Sequence, residues 1–183
     1  MKNKLIFKIV LSGVFVCLLI VSSLIRIPLV GISITMQTLF VFLSGMILGY
    51  KWGTITIICY LVLGLLGLPI FSNGGGIFYV LEPTFGYLLG FILCSFVIGI
   101  IVKENRDNFK KLIISGSLGL FIIYLIGLLY YFLIARHFYS INIDEYQILI
   151  YFILIPLPID LISVFISAII TKRISYLIKD FYN

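Results

Sequence analysis

Charge is what this chain has least of. Only 11% of its 183 residues are Asp, Glu, Lys or Arg, against 62% hydrophobic, and the mean hydropathy is +1.25. A soluble domain of this length needs polar residues over most of its surface, so that class is excluded. Histidine occurs once, as His137, and of the seven acidic residues only Asp160 lies well within an apolar run. Enzymes buried in membranes need paired aspartates, a serine with a histidine, or a set of His and Glu metal ligands, and these residues cannot readily assemble any of them. The segment "SGSLG" at 115–119 lacks the first glycine of a nucleophile elbow, and no glycine loop with a lysine is present to cradle phosphates. No enzyme, metal or cofactor is therefore expected. Cys17, Cys59 and Cys94 all fall in apolar runs without a pairing spacing and are expected to be packing residues.

What is present is a succession of apolar runs, each long enough to cross a hydrocarbon layer of roughly 30 Å. They are too continuous for the alternating strands of an outer-membrane barrel, so the spans are helices. The pattern predicts an all-α integral membrane protein, a single domain over 1–183, with six transmembrane helices at about 5–25, 35–50, 53–70, 83–102, 112–135 and 147–171. The last is interrupted by Pro156 and Pro158. With the N-terminus inside, eleven Lys and Arg side chains are cytoplasmic and only Arg26 and Arg136 are outside, which predicts that both termini are cytoplasmic. The formal charge of +6 is a topology signal and gives no footprint for nucleic acid. Residues 1–25 meet Arg26-Ile-Pro rather than a small-residue cleavage site, so a retained first helix is expected.

Gly45 with Gly49 and Gly86 with Gly90 form small-xxx-small pairs, and Gly64 with Gly67 extends the pattern, so helices two to four are expected to approach closely. Ser12, Gly13 and Cys17 place small side chains near the cytoplasmic half of the first helix, either for internal packing or as a docking stripe. Between helices three and four, "PIFSNGGGIFYVLEPTFGYL" combines three glycines with aromatics. Such a loop is either a lid over a site or a flexible exposed connection. Gln37, with Thr35 and Thr38 beside it, enters the outer half of helix two, where an amide must find a partner. Asp160 is the most constrained residue. A carboxylate at membrane depth costs on the order of 2.5–3.5 kcal/mol, so it should face the bundle interior and have a partner. The prolines predict a helix that restarts near Pro158 with Asp160 in its first turn, where it either contacts a ligand or caps the helix. Ser163 and Ser167 continue its face.

Together, "ISITMQTLFVFLSGMILGYKWGTITIICYLVLGLLGLPIF", "GGGIFYVLEPTFGYLLGF", "IIYLIGLLYYFL" and "PLPIDLISVFISAIITKRI" resemble the BioY family, the biotin-specific substrate-binding (S) components of energy-coupling factor (ECF) transporters. The resemblance covers nearly the whole chain. It implies a six-helix S component in the plasma membrane of a prokaryote, holding biotin or a related vitamin under the loop between spans three and four. It also implies a membrane-embedded T subunit and two cytoplasmic ATPases as partners, with Ser12, Gly13 and Cys17 docking the T subunit. Gln37, Tyr87 and Asp160 match family positions. Gln37 and Asp160 are suited to the ureido group, and Phe78, Tyr79 and Tyr87 to the ring and chain, with Asn73 and Ser163 completing the candidate set. Ser163 stands where the family has lysine, and Glu82 and Phe85 replace glycines, so either Arg26 or Arg136, the outer-side cations, meets a ligand carboxylate, or the ligand is a relative lacking one, or affinity is reduced. The rival readings are an accessory membrane subunit, in which Asp160 only caps a helix, and a proton-coupled carrier that uses it as a proton site.

Overall fold

An apolar chain in hydrocarbon has to satisfy its peptide groups within each segment, and this one does so almost entirely as helix. The computed structural model describes residues 2–28, 33–103, 105–134 and 150–182. Helix α1 (Lys2–Leu24) leads into a small antiparallel hairpin, β1 (Arg26–Pro28) and β2 (Ser33–Thr35). Helix α2 (Gln37–Leu43) ends in a π-helical turn, Ser44–Leu48, and α3 (Gly49–Leu65) follows directly. A loop with one 3-10 turn, Ile77–Leu81, connects to α4 (Phe85–Val102); then come α5 (Phe109–Ile134), a second π turn (Ile150–Leu154) and α6 (Leu157–Tyr182). Among the described residues, five stretches are long and apolar enough to cross a membrane: Lys4–Leu24, Gln37–Leu65, Phe85–Val102, Phe109–Ile134 and Ile150–Ser175.

The second of these is not a straight rod. Gly49 has φ 79° and ψ 177°, a conformation that glycine adopts without a Cβ penalty. The side-chain amide of Gln37 also donates to the Tyr60 hydroxyl at 2.8 Å, although the two are 23 residues apart. A continuous helix would separate them by about 35 Å. The chain therefore folds back at Gly49, slightly before the break expected between 50 and 53, and lays α3 against the π turn, α1 and α4, with Tyr60 reaching Gln37.

Glycines set how closely the helices approach: a Cβ on Gly45 would meet the Ser95 carbonyl of α4 at 2.8 Å, as its spacing predicts, whereas Gly90 faces α5 and Gly64 the loop. A Cβ on Gly90 would meet the Ile123 backbone at 2.9 Å, and one on Gly127 would meet the Tyr87 ring at 2.7 Å, so α4 and α5 pack backbone to backbone. Gly99 lies directly against the backbone of Tyr50, where α3 begins. Leu19, Phe42, Met46, Ile57, Tyr60, Ile98, Leu112 and Ile123 fill the centre, nearly or wholly buried.

Some element boundaries differ from expectation for identifiable reasons. Helix α5 starts three residues early because Asn108 caps it: its Oδ1 accepts from the Lys111 amide at 3.2 Å. The β-hairpin was not expected. It forms around Ile27 opposite Ile34, with Ile34 buried, and Pro28, which has no N–H to give a ladder, sits at its end. The glycine loop is packed rather than loose. Phe71 is 2% exposed and lies over Gly64, where any side chain would collide with its ring, and rings Tyr60, Phe71, Tyr79, Phe85 and Tyr130 follow one another at centroid distances of 4.6–6.4 Å.

The Gly99 contact is with backbone, which cannot swing aside. Gly99→Ala is expected to destabilise the protein by about 1–3 kcal/mol through overpacking, whereas Gly13→Ala, with nothing within 4 Å of the new methyl, should not. Thermal unfolding of both variants in detergent checks this.

Candidate functional site

A cavity of about 650 Å³, counting its mouth, opens among the hairpin, the loop and the starts of α2, α4 and α6. Leu88, Phe91, Ile123 and Pro156 form its apolar wall; Ser33, Thr35, Ser72 and Thr84 add hydroxyls; Gln37, Thr38, Tyr79, Tyr87, Tyr124 and Asp160 supply the remaining polar lining.

Asp160 is 5% exposed and sits in the first turn of α6, as the two prolines predict. Its side chain does not turn back to cap that helix. The Thr38 hydroxyl donates to Oδ1 at 2.7 Å, and the Tyr124 hydroxyl donates to Oδ2 at 2.6 Å. One carboxylate thus ties α6 to α2 and α5. A carboxylate has about four lone-pair positions, so these two bonds leave capacity for donors arriving through the cavity. Its place in the first turn also sets its charge at the favourable end of the helix dipole.

Gln37 is fixed on both sides. Its Oε1 accepts from the Thr35 hydroxyl at 3.1 Å, its Nε2 donates to Tyr60, and the residue is 3% exposed. The amide still has one N–H and one lone pair uncommitted by these bonds. Tyr79 is held near Ser72, hydroxyl to hydroxyl at 3.2 Å, and Tyr87 donates to the Phe152 carbonyl at 3.1 Å while meeting Tyr124 edge-on at 6.3 Å. An acceptor, an amide and edge-on aromatic rings suit a small, partly apolar ligand that carries both donors and an acceptor.

Four of the seven substrate-site candidates, Gln37, Tyr79, Tyr87 and Asp160, converge on this cavity. Asn73, Phe78 and Ser163 do not line it. Asn73 lies at the rim, where its Oδ1 accepts from Arg26 at 2.9 Å; Phe78 is 81% exposed; and the Ser163 hydroxyl is directed at the Ile159 carbonyl, 3.0 Å away on its own helix. Arg26 also donates to the Ser72 carbonyl, so its guanidinium fastens the loop. Arg136 and His137 lie outside the described residues. On α1, Gly13 and Cys17 are exposed and Ser12 is half-buried, far in sequence from the cavity-lining residues and not among them. Among the described residues, no three His, Cys, Asp or Glu side chains gather as metal ligands.

Sequence reasoning passed over Tyr124 and Tyr60. The signal for Tyr124 was the demand that a buried Asp160 have a partner, since Tyr124 is a hydroxyl in an otherwise apolar stretch, "FIIYLIGLL".

Comparison with known proteins places this geometry in context. The family described as "BioY family" matches residues 1–180. A protein of Lysinibacillus sphaericus called "Probable biotin transporter BioY" is 41% identical over 131 residues, 71% of this chain and 67% of that protein. The "Biotin transporter BioY" of Thermotoga maritima is 44% identical over 121 residues, 66% of this chain and 71% of its own. Among solved structures, the crystal structure at 2.1 Å of the S-component for biotin from an ECF-type ABC transporter superposes with a TM-score of 0.80 at 26% identity, over 96% of this chain and 94% of that one.

Removing one hydroxyl leaves an oxygen of Asp160 unpaired without emptying the core. Tyr124→Phe is expected to lower stability by about 1.5–3 kcal/mol, the usual worth of a hydrogen bond to a charged group. A thermal melt matching wild type would contradict that bond.

Proposed function

The chain belongs to the BioY family, and from that premise we propose that it is the substrate-binding S component of an ECF-type transporter, capturing biotin from outside the cell for ATP-driven import. The observation that carries this reading is the pairing of Asp160 and Gln37 in one largely apolar cavity. Biotin presents two ureido N–H groups and a carbonyl beside a fused ring and an aliphatic chain. Asp160 accepts from the ureido N–H groups, Gln37 donates to the carbonyl, and Tyr79 and Tyr87 lie against the ring, with Leu88, Phe91 and Ile123 taking the apolar remainder. Asn73 serves at the rim by holding Arg26. The family is one of transporters, and this chain is not an enzyme.

The reversal at Gly49 and the distribution of basic residues support six crossings with both termini in the cytoplasm. Helix α2 with its π turn spans only about 18 Å, so the outer end of this crossing is completed by the hairpin and the loop. With no nucleotide-binding motif of its own, the chain takes its energy from two cytoplasmic ATPases through a T subunit. Docking to that subunit falls to the small-residue stripe Ser12, Gly13 and Cys17. The membrane concerned is the plasma membrane of a prokaryote.

Purified protein in detergent is expected to bind labelled biotin with sub-micromolar affinity. Asp160→Ala should weaken it about a hundredfold, equivalent to about 2.7 kcal/mol, with an unchanged elution profile. Failure of folded wild-type protein to bind would overturn the proposal, and uptake into liposomes lacking ATPases that collapses with the proton gradient would reveal a gradient-driven carrier instead. For topology, Asn73→Cys is expected to react with an impermeant thiol reagent in intact cells, and Lys51→Cys only after permeabilisation.

A further inference from the structure

Tyr60 does not line the cavity and is 0% exposed, yet its hydroxyl joins the cavity wall to the loop that roofs it. It accepts from Gln37 Nε2 at 2.8 Å and donates to the Ile70 carbonyl at 2.9 Å. Ile70 opens the glycine loop, and its carbonyl accepts a second bond, from the Ser23 hydroxyl at the end of α1, at 2.6 Å. On the other side of Gln37, the Thr35 hydroxyl of the hairpin donates to Oε1. Four bonds therefore run from α1 through the loop root, α3 and α2 to the hairpin; the three that involve Ser23, Tyr60 and Ile70 are buried, and the last, from Thr35, lies half-buried at the cavity.

A glutamine amide has two orientations that differ only by exchanging oxygen and nitrogen, and a ligand discriminates between them. Here the choice is set from behind. Tyr60 has a single proton, which it gives to Ile70, so it meets Gln37 as an acceptor and selects the orientation with nitrogen toward α3. That places one defined N–H and one defined lone pair of Gln37 at the cavity. We infer that Tyr60 is a positioning residue for ligand recognition: it fixes the orientation of the Gln37 amide and couples it to the seating of the 66–76 loop.

The inference rests on the biotin reading above, and a double-mutant cycle separates the two. Tyr60→Phe keeps the ring, which packs edge-on against Phe71 at 5.5 Å, and leaves Ile70 its bond from Ser23. It strips Gln37 of its acceptor. Biotin affinity is expected to fall about tenfold in Tyr60→Phe. In a Gln37→Ala background the same change should cost less than twofold, because there is no longer an amide to orient. Ser22→Ala, which removes a neighbouring buried hydroxyl that bonds only the Leu19 carbonyl of its own helix, should leave affinity within twofold of wild type. Affinity unchanged in Tyr60→Phe, or losses that simply multiply in the double variant, would overturn the inference while leaving biotin binding established. Folded wild-type protein that binds no biotin would instead remove the reading beneath it.

Should Tyr60→Phe not fold, hydrogen exchange tests the coupling without it. Saturating biotin is expected to slow amide exchange across 66–76 in wild type and to do so far less in Gln37→Ala. Equal protection in both proteins would overturn the coupling.

Discussion

A carboxylate carried to membrane depth has to be held from several sides at once, and the bonds from Thr38 and Tyr124 to Asp160 impose that condition on every element around the cavity. Three helices are committed by it. Thr38 must stand in the first turn of α2, Tyr124 in the interior of α5, and Asp160 in the first turn of α6, all at one level. The prolines make the last of these achievable. A continuous helix through Pro156 would lack a backbone donor and clash with its own preceding turn; restarting at Leu157 aims the first turn of α6 inward. The cavity is the space left between elements that have to converge on one charge but are kept apart above it by the hairpin and the loop.

The packing of the helices on one another is governed by a different constraint, closeness. Gly90 against Ile123, Gly99 against Tyr50 and Gly53 against the Ser44 carbonyl bring α3, α4, α5 and the π turn into backbone contact, and without Cβ atoms there the helices interlock tightly. Close helix contacts and a cavity joined by hydroxyls and amides divide the work: the first set the frame, the second carries groups whose partners can be exchanged for those of a ligand. Phe71 links the two. Its ring occupies the space that a side chain at position 64 would need, so the loop is seated by the same device that packs the helices.

Asp160, Gln37, the restarted helix and the close-packed glycines were all legible in the sequence, because each carries a cost that only one environment relieves. A buried acid needs donors, a proline needs a break, and a small-residue pair needs a neighbour. The residues that relieve those costs were less legible. Nothing in the local pattern separates Tyr124 from the other eleven tyrosines, since an aromatic hydroxyl in an apolar helix signals itself only once the opposing helix is known. The loop illustrates the same limit. Phe71 and Phe78 have similar surroundings in sequence, yet one is 2% and the other 81% exposed, in a loop whose Gly67, Gly74 and Gly76 take positive φ angles. Strands three residues long carry too little alternation to be seen at all.

The α1 helix is the exception to convergence. Only 17% of its most apolar window is buried, against 56% for α4, although it is the more hydropathic of the two. In water such a surface would require a cover, but in hydrocarbon an exposed Leu5, Ile9 or Val14 is at no disadvantage, because lipid chains are as apolar as any partner. Exposure alone therefore says nothing about docking on this helix. What distinguishes its N-terminal half is Gly13, where nothing lies within 4 Å of the absent side chain. A partner helix can reach the backbone there and gain dispersion contacts that lipid, with its mobile chains, cannot match. Within α1 the docking argument thus rests on small residues rather than on hydrophobic ones, the reverse of what holds for soluble interfaces.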